Sequence, residues 1–312
     1  MPLSPEQLRE VQLTELEMLT EVHRICQKRE IPYVIIAGTL LGAVRHGGFI
    51  PWDDDVDVAL LRKDYERFRR ACEEELDIER FVFQDGRNTP GYRWGYGKLR
   101  RKRTLFLREH QEDMPYFQGI FLDVFPLDEV PQNYLRRVGW QAACFLIRKC
   151  LWACVGKKAD GNFAKRSVYA WLDRIPEAAV FSWYHALIRR SLKLTQKLDG
   201  REQENKRLRD AQKRVRKSSS RKRYVRILLF PTPNRAYGYE REWYRHRALY
   251  SFEGNRFYGI RDADEYLRFK FGRYQELPPE QERKTHPVSR LVLLSDDGTE
   301  NADRDISSAD SE

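Results

Sequence analysis

"YVIIAGTLLGAVRHGGFIPWDDDVDVAL", residues 33–60, joins a short β-branched run to a cluster of glycines and then to four aspartates, Asp53, Asp54, Asp55 and Asp57. The run from Tyr33 is apolar and short enough for a buried strand, and Thr39 to Arg45 reads as a helix entered through Gly38. "DVDVAL" from Asp55 alternates strictly, which predicts a second strand. Side chains alternate across a strand, so Asp55 and Asp57 share one face about 7 Å apart while Val56 and Val58 take the other. Two carboxylates so placed repel each other unless a cation lies between them. Hard divalent ions take oxygen ligands and leave room for substrate phosphates, so the cluster points to a metal-phosphate site.

Rival readings of the cluster are weaker. A solvated acidic turn would not need valines on the opposite face, whereas a rigid strand with one buried face does. A calcium loop would use Asp53, Asp55 and Asp57 as its first ligands but fails at Val58, where glycine is required, and at Asp64, where glutamate is. A phosphate loop of the G-x-x-x-x-G-K-[ST] type fails around Gly97-Lys98, where Tyr92 and Leu99 stand in place of the glycine and the hydroxyl residue. What remains for an anion is the Gly38-Thr39 junction, whose N–H groups and helix dipole suit a phosphate.

Outward from this stretch, Ser4-Pro5-Glu6 opens an amphipathic helix that closes near Pro32. A further helix is expected through "KDYERFRRACEEEL", and strands at 80–84, 93–100, 104–109 and 119–125. The pattern predicts an α+β fold, a mixed sheet with helices rather than a regular βαβ repeat. From about Pro131 to Arg223 the sequence turns helical, aromatic first and then basic. It returns to a hairpin turning at Glu253-Gly254-Asn255 and to a helix begun at Asp262 and stopped by Gly272. The expected organisation is a core at 1–130, a helical basic insertion at 131–225, a completing hairpin and helix at 226–290, and a disordered acidic tail at 291–312.

Composition restricts the class. The chain has 312 residues, a net charge of +10 and a mean hydropathy of −0.72. The most apolar stretch, "WQAACFLIRKCLWACVG", is interrupted by Arg148 and Lys149. The first residues lack a basic start and an apolar run, so no secretory signal is expected and the cytoplasm is the default location. Five cysteines without metal-ligand spacing are read as reduced and mostly buried. Eleven of the twenty-one residues from Lys206 to Arg226 are Lys or Arg. That run suits an acceptor-binding or membrane-surface subdomain, or equally a solvated helical face.

Three segments carry a resemblance: "AGTLLGAVRHGGFIPWDDDVDVALLRKDYERF", "GIFLDVFPLDEV" at 119–130, and "YLRFKFGRYQELPPEQERKTH" at 266–286. Together they closely resemble the LicD family of phosphotransferases, which includes bacterial phosphocholine transferases and is similar to fukutin and fukutin-related proteins. The resemblance implies a nucleotidyltransferase-like mixed sheet flanked by helices. It implies Gly38 and Thr39 as the turn against the donor phosphates, and Asp55, Asp57 and Asp123 as catalytic, metal-binding carboxylates. Asp123 also stands out by itself, since it alternates with Leu122 and Val124 in an apolar strand and a lone buried carboxylate needs a partner. Asp128 is read as a cap or turn residue, and Asp53 and Asp54 as a second layer around the metal.

Lys98 and Arg100 match a basic element of the family and point the same way along a strand, as phosphate ligands should. Arg101 and Arg103 depart from the family pattern beside them. Arg45 is a further phosphate candidate, or a helix-surface arginine. His46 is taken as structural, and His286, at the end of the family-like segment, is placed within reach of the site with no catalytic role assigned to it.

The resemblance implies Mg²⁺ or Mn²⁺, a CDP-linked donor, typically CDP-choline, and a hydroxyl of a cell-surface glycan such as lipopolysaccharide or teichoic acid as acceptor, with release of CMP. A lipid-linked acceptor would allow peripheral contact with an anionic inner membrane face. The alternatives are nucleotidyl transfer with release of pyrophosphate and, in another class, a basic nucleic-acid binder. The second leaves the aspartates unexplained and shows no stacking platform.

Overall fold

The computed structural model describes residues 3–211, 222–233, 237–283 and 285–294, with side chains omitted at 205–211. The acidic tail from residue 295 and the basic run at 206–221 lie outside the described side chains. Two compact units form, one from residues 1–60, 64–125 and 247–312, the other from 61–63 and 126–246.

In chain order the first part of the fold runs α1 (Pro5–Lys28), β1 (Val34–Ile35), α2 (Ala37–Arg45), β2 (Asp57–Leu61), α3 (Arg62–Glu75), β3 (Phe81–Gln84), β4 (Gly97–Arg101), β5 (Leu105–Arg108) and β6 (Phe121–Glu129). Then come α4 (Tyr134–Ala159), α5 (Phe163–Leu172), α6 (Glu177–Ala211), β7 (Tyr224–Arg226), β8 (Tyr239–Glu240) and α7 (Arg241–Arg245). The chain closes with β9 (Arg247–Phe252), β10 (Asn255–Ile260), α8 (Ala263–Phe271) and β11 (Val288–Val292).

The sheet of the first unit has the order β3-β4-β6-β2-β1-β10-β9. It is mixed: β1 runs parallel to β10 and antiparallel to β2. The central strands are buried on both sides: Val34, Ile35 and Val58 make β1 and β2 apolar, while β4 and β6 bury Leu99 and Leu122 on one side and Lys98, Arg100 and Asp123 on the other. Helix α1 starts with a full capping box from Ser4 and Gln7. Phe68 of α3 meets Phe83 of β3 edge to face at 5.7 Å. The hairpin turns at Glu253 and Gly254, both with positive φ, as a two-residue turn between twisted strands requires. Gly272 ends α8 at φ +70.

Three expectations change. The strand before the glycines is only two residues long, because the helix begins at Ala37 rather than Thr39. The aspartate strand begins at Asp57, so Asp55 precedes β2 and does not share a pleat with Asp57. Strand 104–109 leaves the main sheet and pairs with β11 instead.

In the second unit, Trp140, Cys144, Ile147, Leu151, Val180, Tyr184, Leu187 and Leu228 make a core between α4, α6 and the segment after β7. The end of β6 pairs with β7 (Asp128↔Arg226), and β7 with β8. Asp128 is not a turn residue: it is fully buried and takes two hydrogen bonds from Arg62, at 2.9 and 2.6 Å. Among the described residues, α4 alone is long and apolar enough by length and composition to cross a membrane. All five cysteines are free thiols, four of them buried.

Candidate active site

The site is built where β1, the start of α2, β2, β6 and the segment after α8 meet, all within the first unit. Ala37 takes a left-handed φ of +52, and its N–H donates to the Tyr266 hydroxyl at 3.2 Å. That kink turns the chain from strand to helix within one residue. A β-carbon on Gly38 would stand 2.4 Å from Asp53 Oδ2, so glycine is what lets the aspartate lie against the first turn of α2. Thr39 is buried, and its hydroxyl accepts the Asp57 N–H at 2.8 Å. Thr39 therefore fixes the strand position from which the Asp57 carboxylate projects.

The four aspartates differ in their surroundings. Asp54 is buried, and its carboxylate accepts the His286 N–H at 2.8 Å and lies 3.1 Å from His286 Nδ1. The same imidazole places Nε2 3.8 Å from Asp55 Oδ2. Burial pushes Asp55 up, with Asp123 and Asp54 adding and His286 and Lys98 opposing. Burial, then the Asp55 and Asp123 charges, holds Asp57 well above the usual carboxylate range, with Lys270 opposing. Asp53 is raised likewise by burial and by Asp55 and Asp54. Among the described residues, no hydrogen-bond donor reaches the carboxylates of Asp53 or Asp57.

Asp123 arrives from β6, its N–H donating to Val56 O at 2.9 Å, and is ion-paired with Lys98 of the adjoining β4. The Lys98 ammonium is buried and sits 3.3 Å from the centroid of the Phe121 ring. Burial pushes it down to about 7; Asp123 opposes, and Arg100 and Arg108 reinforce the shift. Arg100 is also buried, but it is committed to Gln84 Oε1 and Gly119 O, both at 2.7 Å. Arg45 donates to Tyr274 O at 2.8 Å from a half-exposed position. Lys98 thus faces the carboxylates, while Arg100 and Arg45 serve the framework.

The donor set is all oxygen, which suits a hard divalent ion. Crowded, desolvated carboxylates held above their usual range are what such an ion would neutralise, and Asp55 and Asp57 fit in that respect. Among the described residues no three ligating groups are drawn together as a preformed cluster. Asp123 is shared with Lys98.

Three residues belong to this neighbourhood that the sequence did not single out, together with His286, which it did. Gln12 of α1 donates to Asp53 O at 2.9 Å and to Ile50 O at 3.4 Å, tying down the loop that carries the aspartates. Glu15, one turn along, is buried with one carboxylate oxygen lacking any hydrogen bond, and burial and the charges of Asp55, Asp54, Asp53 and Asp123 hold it well above the usual range. Lys270 of α8 is pushed down by burial against the attraction of Asp57 and Asp55. His286, which the sequence left within reach of the site, does reach it, through Asp54 and Asp55. The two helix residues carry a signal in retrospect, since a Gln and a Glu on the inner side of an amphipathic helix need buried partners.

Residues 30–140 match the sequence profile of the LicD/FKTN/FKRP nucleotidyltransferase domain. The chain carries a LicD-family domain. Beyond the domain, the chain is 28% identical over 294 residues to the lipopolysaccharide cholinephosphotransferase LicD of Haemophilus influenzae, across 92% of this chain and 98% of that protein. Two shorter likenesses, to uncharacterised proteins of Rickettsia typhi (30% over 128 residues) and Rickettsia prowazekii (27% over 124), each cover 39% of this chain and 37% and 42% of the relatives. The LicD-family domain contains Gly38, Thr39, all four clustered aspartates, Lys98 and Asp123. Glu15, Lys270 and His286 come from outside it.

Proposed function

We propose that this chain is a transferase that moves phosphocholine from a CDP-linked donor to a hydroxyl of a lipopolysaccharide-type glycan or glycolipid, releasing CMP. Likeness to a cholinephosphotransferase over nearly the whole of both chains supports the transfer. The observation that carries the chemistry is the pair of desolvated, mutually repelling carboxylates Asp55 and Asp57 beside the Asp123–Lys98 ion pair. A cytoplasmic setting, peripheral to the inner membrane face, suits a lipid-linked acceptor.

Asp55, Asp57 and Asp123 would hold Mg²⁺ or Mn²⁺. Such an ion would neutralise the donor's phosphates and the charge that grows on the leaving CMP. The chain itself supplies position and proton handling. Thr39 and Gly38 set the strand-to-helix turn against which the donor phosphates lie, and Thr39 holds Asp57 in register. His286 holds Asp54 and steadies the aspartate loop from one side, as Gln12 does from the other. Asp123 accepts the proton of the attacking hydroxyl as the new oxygen–phosphorus bond forms and the bond to CMP breaks; its contact with Lys98 orients that carboxylate beforehand.

The test is product analysis with CDP-choline, CDP-glycerol and CDP-ribitol in the presence of lipopolysaccharide, with and without Mg²⁺. CMP formed only with metal, and lost in Asp57→Asn, is expected. Pyrophosphate from a free nucleoside triphosphate would instead establish nucleotidyl transfer, the second reading that the domain's description favours. Turnover undiminished in excess EDTA would exclude the metal role.

A further inference from the structure

Helix α4 is apolar on two sides. Its inner side, Trp140, Cys144, Ile147 and Leu151, lies in the core of the second unit. Its outer side carries Leu135, Val138, Ala142 and Phe145, spaced three, four and three residues apart, which places them on one line of the helix. Leu135 is 77% exposed and Leu146, beside the line, 59%. Apolar residues on one line of an exposed helix mark an interaction surface, whereas single exposed leucines do not.

The next positions on that line are Lys149 and Gly156, and there α5 docks. Lys149 Nζ donates to the Tyr169 hydroxyl at 2.6 Å, and a β-carbon on Gly156 would stand 2.7 Å from the Tyr169 ring. With Tyr169 turned toward α4, helical periodicity turns Phe163 and Trp171 of α5 away from it. They are 77% and 63% exposed and extend the apolar surface on the side to which the α4 line points. Trp152 adds a further exposed aromatic edge.

Charge decides what fits this surface. From Tyr134 to Ile175 there are nine Lys or Arg and two carboxylates, Asp160 and Asp173. Apolar residues interleaved with cations, with tryptophans among them, match the boundary between lipid headgroups and acyl chains. A transmembrane placement does not fit. Arg148 and Lys149 interrupt the apolar run of the helix, and its inner side is already packed in a protein core.

We propose that the α4–α5 surface is a membrane-docking face, on which α4 lies in the plane of an anionic bilayer with Leu135, Val138 and Phe145 entering the headgroup boundary. Phe163 and Trp171 enter beside them, and Arg148 and Arg166, each one turn on from Phe145 and Phe163, pair with lipid phosphates. Docking of this kind is independent of the reaction assigned to the aspartate site.

The experiment is co-sedimentation of the full chain with vesicles of phosphatidylcholine containing one quarter phosphatidylglycerol, and with pure phosphatidylcholine. Expected are binding to the anionic vesicles, a blue shift of tryptophan emission, and weakening in high salt. Leu135→Ser/Phe145→Ser and Phe163→Ser/Trp171→Ser should each raise the half-binding lipid concentration at least tenfold. Thermal melting of each variant is recorded alongside, and Arg148→Glu/Arg166→Glu, which leaves the apolar residues in place, should weaken binding where a serine variant melts early. Binding that survives all three pairs of substitutions would overturn the proposal and assign lipid contact elsewhere. Absence of vesicle binding, or a solution dimer that the same substitutions dissolve, would overturn it as well, the dimer naming a second copy as the occupant.

Discussion

The main-chain N–H and the imidazole of His286 both close on the carboxylate of Asp54, and the far nitrogen of the same ring turns toward Asp55. A residue 232 positions away in sequence thus fixes the orientation of the aspartate loop. Outer partners of metal-holding carboxylates are worth about 10–100-fold in metal affinity or turnover. His286→Ala is therefore expected to raise the Mg²⁺ concentration giving half-maximal CMP release by that factor, with little change in melting temperature. An unchanged Mg²⁺ titration would reduce His286 to a packing residue.

Asp57 tests the carboxylate crowding directly. A carboxyl whose folded value is raised binds its proton more tightly in the native state than in the unfolded one. Its contribution to stability is complete below the unfolded value near 3.8 and is lost as pH rises through the folded value. In EDTA at neutral pH the wild type bears this cost, and Asp57→Asn does not. The variant should lose turnover yet melt at the same or a higher temperature, the difference vanishing toward pH 4. A clearly lower melting temperature for Asp57→Asn at neutral pH would make Asp57 a structural residue.

The local periods were legible in the sequence wherever a face is plainly buried or plainly wet. Alternation found β2, the apolar positions found α1, and Glu253-Gly254 found the hairpin turn. What escaped depended on contacts distant in sequence. β5 has the pattern of any short strand, and only β11, some 180 residues later, draws it out of the main sheet. Asp128 looked like a turn residue because Arg62, its partner, lies 66 positions earlier. Arg100 looked like a phosphate ligand because strand alternation says which way a side chain points, not that Gln84 and Gly119 already hold its guanidinium.

Glu15 lies on the inner side of α1 with an unbonded carboxylate oxygen and four aspartates in its electrostatic surroundings. The linkage has the same sign as for Asp57: native-state proton binding favours folding below 4.5, and that advantage is lost as pH rises through the raised value. Glu15→Gln keeps the shape and removes the ionisation. Its melting temperature should equal the wild type's near pH 4 and exceed it by a few degrees at pH 8, on the order of 1–2 kcal/mol. If the two proteins melt alike at every pH, Glu15 is not titrating against the aspartates.

Arg62 and Asp128 form a two-pronged ion pair with 2% and 0% of their side chains exposed. Desolvating two charges offsets most of their attraction, so the pair need not be strongly stabilising as a pair. Removing one partner is a different matter, because the other is then left charged and unpaired in the interior. Arg62→Met and Asp128→Leu should each destabilise by about 3–5 kcal/mol in urea melts. The double variant should recover most of that loss, since neither orphan remains and the volume is refilled by apolar atoms. Losses that simply add would show that each side chain acts through separate packing contacts, and the pair would then have no role in joining the start of α3 to the end of β6.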